Sequence, residues 1–251
     1  MIIDPPRKQD IPALRGLWKE AFGDSEEFLD LFFQTGFAPG RSRCLWISGK
    51  VAAALYWFDC SHQEKKLAYI YAVATDKAYR GRGLCTALME DTHRHLQALG
   101  YDGAVLVPGN RKLFDLYGKL GYKAFCPMTV HSVESGATAE ALEKLSAEEF
   151  RKLRRKHIPA GGILQEGETL AFLSGFCRFC RSGDDLCCLS VEGDTAYFQE
   201  YLGAESHLPG ILKALGVKKG IVQLPGGENS AMYYPLTEKE ELPTYLGISL
   251  G

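Results

Sequence analysis

The sequence predicts an α/β (α+β) protein in which a mixed central sheet is flanked by helices. Segments with strand-type alternation and segments with helical spacing of apolar residues follow one another through the first half of the chain. A segment rich in glycine and arginine, residues 79–89, separates one strand pattern from the helix pattern that follows it. The length of 251 residues exceeds one typical domain, so a second, smaller α/β domain is expected after the first.

The elements of the first half are placed by their apolar spacing and their turn residues. Asp10 is a suitable N-cap for the first helix, and Gly23 ends it. A second helix is expected around residues 28–32, a third from residue 84 to Gly100, and a fourth after Asn110. The predicted strands of this half are residues 1–3, 43–47, 51–59, 67–74, 104–107, 122–125 and 128–133.

The second half is predicted to form its own domain, so the expected domains are residues 1–135 and 136–251. A charged helix is expected over residues 138–157. The predicted strands of this half are residues 169–180, 186–191 and 195–201.

A short pattern occurs in both halves: L-x-A-L-G followed by a strand that ends in Pro-Gly, at residues 96–109 and 212–226. The repetition favours a second half that is a degenerate copy of the first, although L-x-A-L-G is also a common way to end a helix. Glu205 stands where the first half has arginines, and its charge would repel an anion. The second half is therefore expected to shape a substrate pocket or an oligomer interface, a homodimer included.

Residues 80–86, which we call the cradle, have the features of an anion site. Glycines let the backbone turn sharply and approach a ligand, and the first N–H groups of the following helix favour negative charge. Arg80 and Arg82 add positive charge. A nucleotide-hydrolase phosphate loop is excluded because it needs a Gly-Lys-Ser/Thr ending. A dinucleotide fingerprint is excluded because Thr86 stands where its third glycine belongs.

Two motifs carry a resemblance to a known family. Arg80, Gly83 and the small Cys85 match the pattern R/Q-x-x-G-x-G/A, with cysteine replacing the usual glycine or alanine. Asn110, followed by L-Y-G-K-L-G-Y at residues 116–122, is similar to an N…LYEKLGF segment. Residues 1–134 therefore resemble the GCN5-related N-acetyltransferases (GNAT family), and the resemblance implies the fold of that family.

The resemblance implies an enzyme that transfers an acyl group from acyl-CoA, with acetyl-CoA expected, to a primary amine of a small molecule or a peptide. The amine attacks directly in a ternary complex, and no metal is implied. Tyr117 would protonate the departing CoA sulfur, whereas without the motifs it would be taken for a packing residue. The implied CoA contacts are Val73, Thr75, Arg80, Gly81, Arg82, Gly83, Leu84, Cys85, Thr86 and Asn110, the last of which can also act as a helix cap.

The general base is left open by the sequence. Asp59, His62 and Glu64 lie in a polar segment before the central strand, although each is also a normal turn residue. The terminal carboxylate of Gly251 is a further hypothesis, because larger proteins of this architecture use it as the base. Two rival functions also stay open: a CoA-binding regulator without turnover, and an interaction scaffold that binds no CoA.

Composition points to a cytoplasmic protein. Lys+Arg 29 against Asp+Glu 31 gives no sign of attraction to nucleic acid or membranes, and no apolar run has the length of a membrane-spanning helix. The first residues do not resemble a signal peptide. Eight cysteines include C-x-x-C at 177–180 and a pair at 187–188, but this spacing favours buried structural thiols over a zinc site. Residues 181–185 between them are predicted to be a hairpin turn, and disulfides are disfavoured in the cytosol.

Overall fold

The computed structural model describes residues 1–238 and 241–250. The chain divides into two compact units, and each is described by itself. Unit 1 comprises Met1–Leu106, Asn110–Lys123 and Tyr233–Glu241, and unit 2 comprises Val107–Gly109, Ala124–Met232 and Leu242–Gly251. Relative to the predicted segments 1–135 and 136–251, unit 2 also takes in residues 107–109 and 124–135, and unit 1 takes in residues 233–241. In the described part of the chain, no helix is long and apolar enough to cross a membrane.

Unit 1 is a five-stranded mixed sheet with four α-helices. Its strands, in the spatial order β1-β2-β3-β4-β5, are β1 Ile2–Asp4, β2 Ser42–Ile47, β3 Lys50–His62, β4 Lys65–Thr75 and β5 Gly103–Leu106. Its helices are α1 Ile11–Phe22, α2 Glu26–Leu31, α3 Leu84–Ala98 and α4 Arg111–Lys119, and a π-helical turn, Phe32–Gly36, follows α2. The predicted strands 43–47 and 51–59 form a hairpin: Ile47 pairs with Lys50, and Ser48 and Gly49 both have positive φ, as a tight two-residue turn requires.

Helices cover both faces of this sheet. Trp18 of α1 lies 5.4 Å from Tyr56 of β3 between ring centroids, and Trp57, the next residue of β3, lies 6.1 Å from His95 of α3. Because successive side chains of a strand point to opposite faces, α1 and α3 pack on opposite sides. The predicted fold class, a mixed sheet flanked by helices, is confirmed.

In unit 2 the strands follow the spatial order β13-β6-β12-β11-β10-β9-β7. Its strands are β6 Lys123–Glu134, β7 Glu143–Leu145, β9 Arg178–Ser182, β10 Asp185–Glu192, β11 Thr195–Leu202, β12 Lys219–Pro225 and β13 Glu228–Pro235, with a short strand β8 Leu164–Gln165. Its helices are α5 Ala147–His157, α6 Glu168–Leu173 and α7 Leu208–Leu215. The first residue of β6 and the last three of β13 are assigned to unit 1.

The core of unit 2 also has two layers. Cys187 packs in a cluster with Leu212 of α7, whereas the next residue, Cys188, packs in a cluster with Phe150 of α5 and Leu173 of α6. Helices therefore flank this sheet on both faces as well. The predicted turn at residues 181–185 is confirmed, because Ser182 pairs with Asp185 in a β9–β10 hairpin.

Three predictions for the chain after residue 121 are wrong. The helix expected at 138–157 begins only at Ala147, because Ser146 and Glu149 form a capping box and Glu143–Leu145 pairs as strand β7 with β9. The strand expected at 169–180 is helix α6 followed by a strand that starts at Arg178. The two strands expected at 122–133 are one strand, β6, with a positive φ of 62° at Cys126.

The two units share one order of elements. In unit 1 the order is β1-α1-α2-β2-β3-β4-α3-β5, and in unit 2 it is β7-α5-α6-β9-β10-β11-α7-β12, leaving β8 aside. The central parallel pairs are also alike, with three residue pairs each: Leu67–Gly103 to Tyr69–Val105, and Thr195–Lys219 to Tyr197–Ile221. That the second half is a degenerate copy of the first stays a prediction, and the shared topology is what favours it.

Candidate active site

Strand β4 carries a bulge at Ala72 and Val73. Tyr71 pairs with Tyr56 and Ala74 pairs with Ala54, so Leu55 of β3 faces two residues of β4. Ala72 has a φ of 48°, in the left-handed region that residues with a side chain rarely adopt. The sequence predicts an uninterrupted alternation here, and the bulge breaks it. An extra residue leaves the backbone locally out of the ladder, which frees polar groups for another partner.

The parallel pairing of β4 with β5 is confined to the first part of β4. It runs from Leu67–Gly103 to Tyr69–Val105, while β4 itself continues to Thr75. Strand β4 pairs with β3 along one side, and half of the backbone N–H and C=O groups of β4 point to the opposite side. The stretch around Val73 therefore presents N–H and C=O groups at an edge where an extended ligand can add like a strand.

The cradle follows this edge directly. Gly81 and Gly83 have φ of 74° and 73°, a conformation that only glycine adopts without strain, and a Cβ at either position would meet nothing within 4 Å. The Arg80 side chain donates from Nε to the carbonyl of Thr75 at 2.9 Å, which ties the turn to the end of β4. The Arg82 guanidinium lies 5.4 Å from the Tyr79 ring and, like Arg80, is exposed. The turn is thus open, cationic and backbone-lined.

Helix α3 begins with Gly83 as its N-cap residue. The Ala87 N–H donates to the Gly83 carbonyl at 3.0 Å, which is the first turn of the helical ladder. The N–H groups of Leu84, Cys85 and Thr86 precede that bond and have no acceptor within the helix. Together with the positive end of the helix dipole they form the anion-attracting part of the cradle.

Asn110 and Tyr117 lie at the two ends of α4. Asn110 is the N-cap residue, and its Oδ1 accepts from the Leu113 N–H at 3.2 Å, so the alternative role as a helix cap is real. The cap uses only Oδ1 of the side-chain amide. Tyr117 is buried, and burial, with the Cys85 thiol as a second cause, raises the pKa of its hydroxyl well above the ordinary value. A tyrosine with a raised pKa stays protonated at neutral pH, as a general acid must.

A cluster of aromatic rings stands behind Tyr117, and the sequence did not suggest it. Tyr122 lies 5.6 Å from Tyr117 between centroids, and its hydroxyl is 2.8 Å from Nε2 of His93. Tyr234 stacks on His93 at 4.0 Å. Burial lowers the pKa of His93 to about 4, with the Arg94 charge as the second cause, so its ring is neutral at pH 7. The only sequence signal was a histidine on the buried stripe of α3.

The residues suggested as general base lie away from the bulge. Asp59 pairs with Ala68 and accepts a hydrogen bond from the Tyr101 hydroxyl, and His62 pairs with Lys65 at the far end of the β3–β4 hairpin. Ala68 precedes Ala72 by four residues, a separation of about 13 Å along a strand. Glu64 occupies the turn of that hairpin. Gly251, whose carboxylate is the other hypothesis, lies outside the described residues.

Among the described residues, no group of three or more His, Cys, Asp or Glu side chains is arranged to hold a metal ion. All eight cysteines are free thiols, and all but the half-exposed Cys85 are buried. His93 and His95 on α3 are separated, since the first packs on Tyr234 and the second on Trp57.

The bulged strand, the glycine turn and the cationic start of α3 together define a fold of the acetyltransferase class. Residues 3–125 match the family model described as "Acetyltransferase (GNAT) domain". This part of the chain belongs to the GNAT family, as its two motifs predict.

Solved structures extend the similarity in fold to most of the chain. A GCN5-related N-acetyltransferase from Anabaena variabilis has a TM-score of 0.73 at 16% identity, covering 94% of this chain and 73% of that chain. A GCN5-related N-acetyltransferase from Kribbella flavida has a TM-score of 0.68 at 14% identity, with coverages of 94% and 72%. Eis1 from Mycobacterium abscessus has a TM-score of 0.68 at 9% identity, with coverages of 94% and 74%. At these identities the likeness concerns the fold alone. No curated protein matches the chain.

Proposed function

We propose that this protein is an acetyl-CoA-dependent N-acetyltransferase that acts on a primary amine of a small molecule or a peptide. Membership of residues 3–125 in the GNAT family supports acetyl transfer as the chemistry. The observation that carries the proposal is the open cradle, where two left-handed glycines, two exposed arginines and a helix start meet. A pyrophosphate needs this combination of backbone donors and positive charge.

The residues of the site have separate tasks in the proposed reaction. The cradle holds the pyrophosphate, and the edge of β4 around Val73 and Thr75 aligns the pantetheine arm. The Val73 N–H donates to the thioester carbonyl, whose oxygen gains negative charge as the amine attacks. Tyr117 gives its proton to the departing thiolate, and Asn110 contacts the pantetheine with the side-chain NH₂ group that its capping bond does not use. Holding both reactants in one site supplies up to roughly 7–11 kcal/mol of the barrier reduction.

The proposed setting is the cytoplasm, and the proposed partner is the amine substrate, with a homodimer as an option for the assembly. The rivals are a CoA-binding regulator without turnover and a scaffold that binds no CoA. The near balance of 29 basic and 31 acidic residues favours an acceptor of moderate charge over a polyanion or a polycation.

Thermal unfolding with and without acetyl-CoA separates these functions. A ligand at 100 times its dissociation constant stabilises the native state by about 2.7 kcal/mol, so a clear rise in the melting temperature is expected. If the melting temperature does not rise, both CoA-binding functions are excluded and only the interaction scaffold is left. A rise without release of free thiol across a broad panel of amines would leave the regulator.

The cradle itself is tested by a matched pair of arginine variants. Arg82→Ala removes charge-assisted hydrogen bonds worth about 1.5–3 kcal/mol and should raise the KM for acetyl-CoA about 10- to 100-fold. Arg94→Ala removes an equally charged, exposed arginine nearer the other end of α3 and should leave the KM unchanged. Equal effects of the two variants would show that general surface charge, and not the cradle, attracts CoA.

A further inference from the structure

Four of the eight cysteines form two thiol pairs at the β9–β10 hairpin of unit 2, with Cys177 directly before β9. Cys180 pairs with Cys187 in the strand register, and each of these thiols shifts the pKa of the other. Cys177 and Cys188 are the second pair, in which the Cys177 thiol raises the pKa of Cys188. The two pairs lie on opposite faces of the sheet, because Cys180 and Cys187 belong to the α7 cluster while Cys177 and Cys188 belong to the α5–α6 cluster.

The two pairs differ in access. A cavity of about 460 Å³ in unit 2 reaches Cys180, with apolar walls that include Leu142, Ala214 and Leu215. Lys144 and Arg178, both exposed, stand at the same cavity. Cys180 itself is 4% exposed, at the wall of the cavity, and Cys187 is 0% exposed. The cavity therefore offers one thiol to a small molecule and favours a molecule that carries an anionic group beside an apolar body.

The two thiols of this pair are also unequal in acidity. The neighbouring Cys187 thiol lowers the pKa of Cys180; burial opposes this shift, and the positive charge of Arg178 supports it. The Cys180 thiol, together with burial, raises the pKa of Cys187. Because the thiolate is the reactive form, Cys180 is the better nucleophile and Cys187 is the thiol that reacts second.

The spacing of the pair fits a disulfide. Ser182 and Asp185 close a two-residue turn, and the backbone groups of such a closing pair are hydrogen-bonded to each other. Backbone-bonded and non-bonded pairs alternate along the hairpin. Cys180–Cys187, two pairs further along, is therefore again a backbone-bonded pair. The Cα atoms of such a pair are about 5.5 Å apart, inside the range that a disulfide spans.

We infer that Cys180 and Cys187 form a thiol–disulfide exchange site for low-molecular-weight disulfides that carry anionic groups. The Cys180 thiolate attacks one sulfur of the disulfide, which forms a mixed disulfide and releases one small thiolate that takes up a proton. Cys187 then loses its proton, attacks the Cys180 sulfur and releases the second small thiol. The protein is oxidised from dithiol to disulfide, and the small disulfide is reduced to two thiols.

The test uses the full chain in its native state with dithiobis(nitrobenzoate), an anionic disulfide whose released thiolate is coloured. Because Cys85 is the one cysteine that is not buried, the parent and all variants carry Cys85→Ala. The parent protein should release two equivalents in sequence and lose two hydrogens in intact mass, with peptide mapping showing a Cys180–Cys187 bond. Cys187→Ala should stop after the first step and retain the mixed disulfide on Cys180. Cys180→Ala should abolish both steps, and dithiothreitol should restore the parent mass.

The second thiol pair gives the matched controls. Cys177→Ala and Cys188→Ala should leave the two-step release unchanged, because neither thiol lines the cavity. An uncharged disulfide, bis(hydroxyethyl) disulfide, should react at least about tenfold more slowly than an anionic one of similar size, and Arg178→Ala should narrow that gap. Urea unfolding of every variant separates loss of reaction from loss of fold.

The inference is overturned if the native protein releases thiolate only on unfolding. It is also overturned if the mapped bond joins Cys177 to Cys188, or if Cys187→Ala gives the same final mass as the parent.

Discussion

The connection between the third strand and the following helix differs between the two units. In unit 1, β4 leads through Arg80 and Gly83 into α3, and the turn is open and exposed. In unit 2, β11 leads through residues 203–207 into α7, and the turn is closed by its own side chains. The Tyr201 hydroxyl donates to the Ala204 carbonyl at 2.7 Å, and the Asp185 carboxylate accepts from the Ala204 N–H at 3.4 Å. The same order of elements thus leaves backbone donors free at the turn of unit 1 and has them satisfied at the turn of unit 2.

The same contrast holds along the strands themselves. Both β4 and β11 carry one extra residue against their neighbour, near Ala72 and at Gln199. From the bulge onwards, β4 has half-buried Val73 and Thr75, whereas β11 continues with Glu200, which is buried against Arg154. Polar groups that are satisfied within the chain stabilise a unit, and polar groups that are left available suit a ligand. The buried ion pair of unit 2 is of the first kind, and the proposed site of unit 1 depends on the second.

The largest effect is expected at the buried ion pair of unit 2. Arg154 donates from Nε to Glu200 at 2.6 Å and from Nη2 to Gln165 at 2.9 Å. Arg154→Met leaves a buried carboxylate without its partner and should lower the free energy of unfolding by about 3–5 kcal/mol. Arg82→Met in unit 1 should change it by less than about 0.5 kcal/mol. Urea unfolding followed by circular dichroism measures both. Equal losses would mean that the arginines of the two units play the same structural role.

Tyr117→Phe should have the next largest effect, this time on turnover. Loss of the proton donor should lower kcat about 10²- to 10³-fold while the KM for acetyl-CoA stays within a factor of about two. The matched variant in unit 2 is Tyr201→Phe, which removes hydrogen bonds to Asp185 and Ala204 and should lower stability by about 1–2 kcal/mol without changing kcat. Normal turnover of the Tyr117→Phe variant would refute the acid role.

Acid should weaken unit 1 through His93. Burial holds the pKa of this imidazole at about 4 in the folded protein, below its ordinary 6.5. The neutral ring therefore contributes its full stability above about pH 6.5. That contribution, on the order of 3 kcal/mol, is lost as pH falls from about 6.5 to about 4, because the unfolded chain binds the proton first. Amide exchange of α3 peptides should accelerate over this range more in the parent than in His93→Phe.

The mildest comparison uses two glycines of the same conformation. Gly83 begins α3 and Gly216 ends α7, both with φ of 73° and with nothing within 4 Å of an added Cβ. Alanine at either position should cost about 1 kcal/mol of stability. Only Gly83→Ala should also weaken acetyl-CoA binding, by about tenfold, since its methyl group faces the approaching pyrophosphate. Calorimetric titration with acetyl-CoA distinguishes the two variants. Equal affinities of the two variants for acetyl-CoA would show that the cradle does not bind it.

The first half of the fold was predictable because its signals are local and agree with one another. The hairpin at Ser48 and Gly49 and the helix end near Gly100 follow from turn chemistry alone. The second half of the fold was less predictable from the sequence. Residues 169–180 are apolar enough for either a strand or a helix, and tertiary packing decides for α6. The start of α5 was visible in Ser146 and Glu149, a capping box that the charged pattern before it obscured.

The site was predictable only where a motif describes it. The cradle and Tyr117 follow from spacing in the sequence. The bulge at Ala72 does not, because no local preference places an alanine at positive φ, and the register of β3 imposes it. The ring stack of His93 with Tyr234 joins residues that are far apart in the chain, and periodicity within one element cannot reveal such a pair.

The late segment of unit 1 has a consequence for biosynthesis. Tyr233–Glu241 completes unit 1 but leaves the ribosome roughly 110 residues after Lys123, a delay of roughly 5–20 s at usual elongation rates. During that time the ring face of His93 has no stacking partner, and Gly103, which the Tyr233 ring covers too closely to leave room for a Cβ, is uncovered. A nascent chain or a fragment that stops at residue 135 thus contains both motifs but lacks Tyr233 and Tyr234, which pack against Gly103 and His93. Unit 1 is complete only once residues 233–241 have been made.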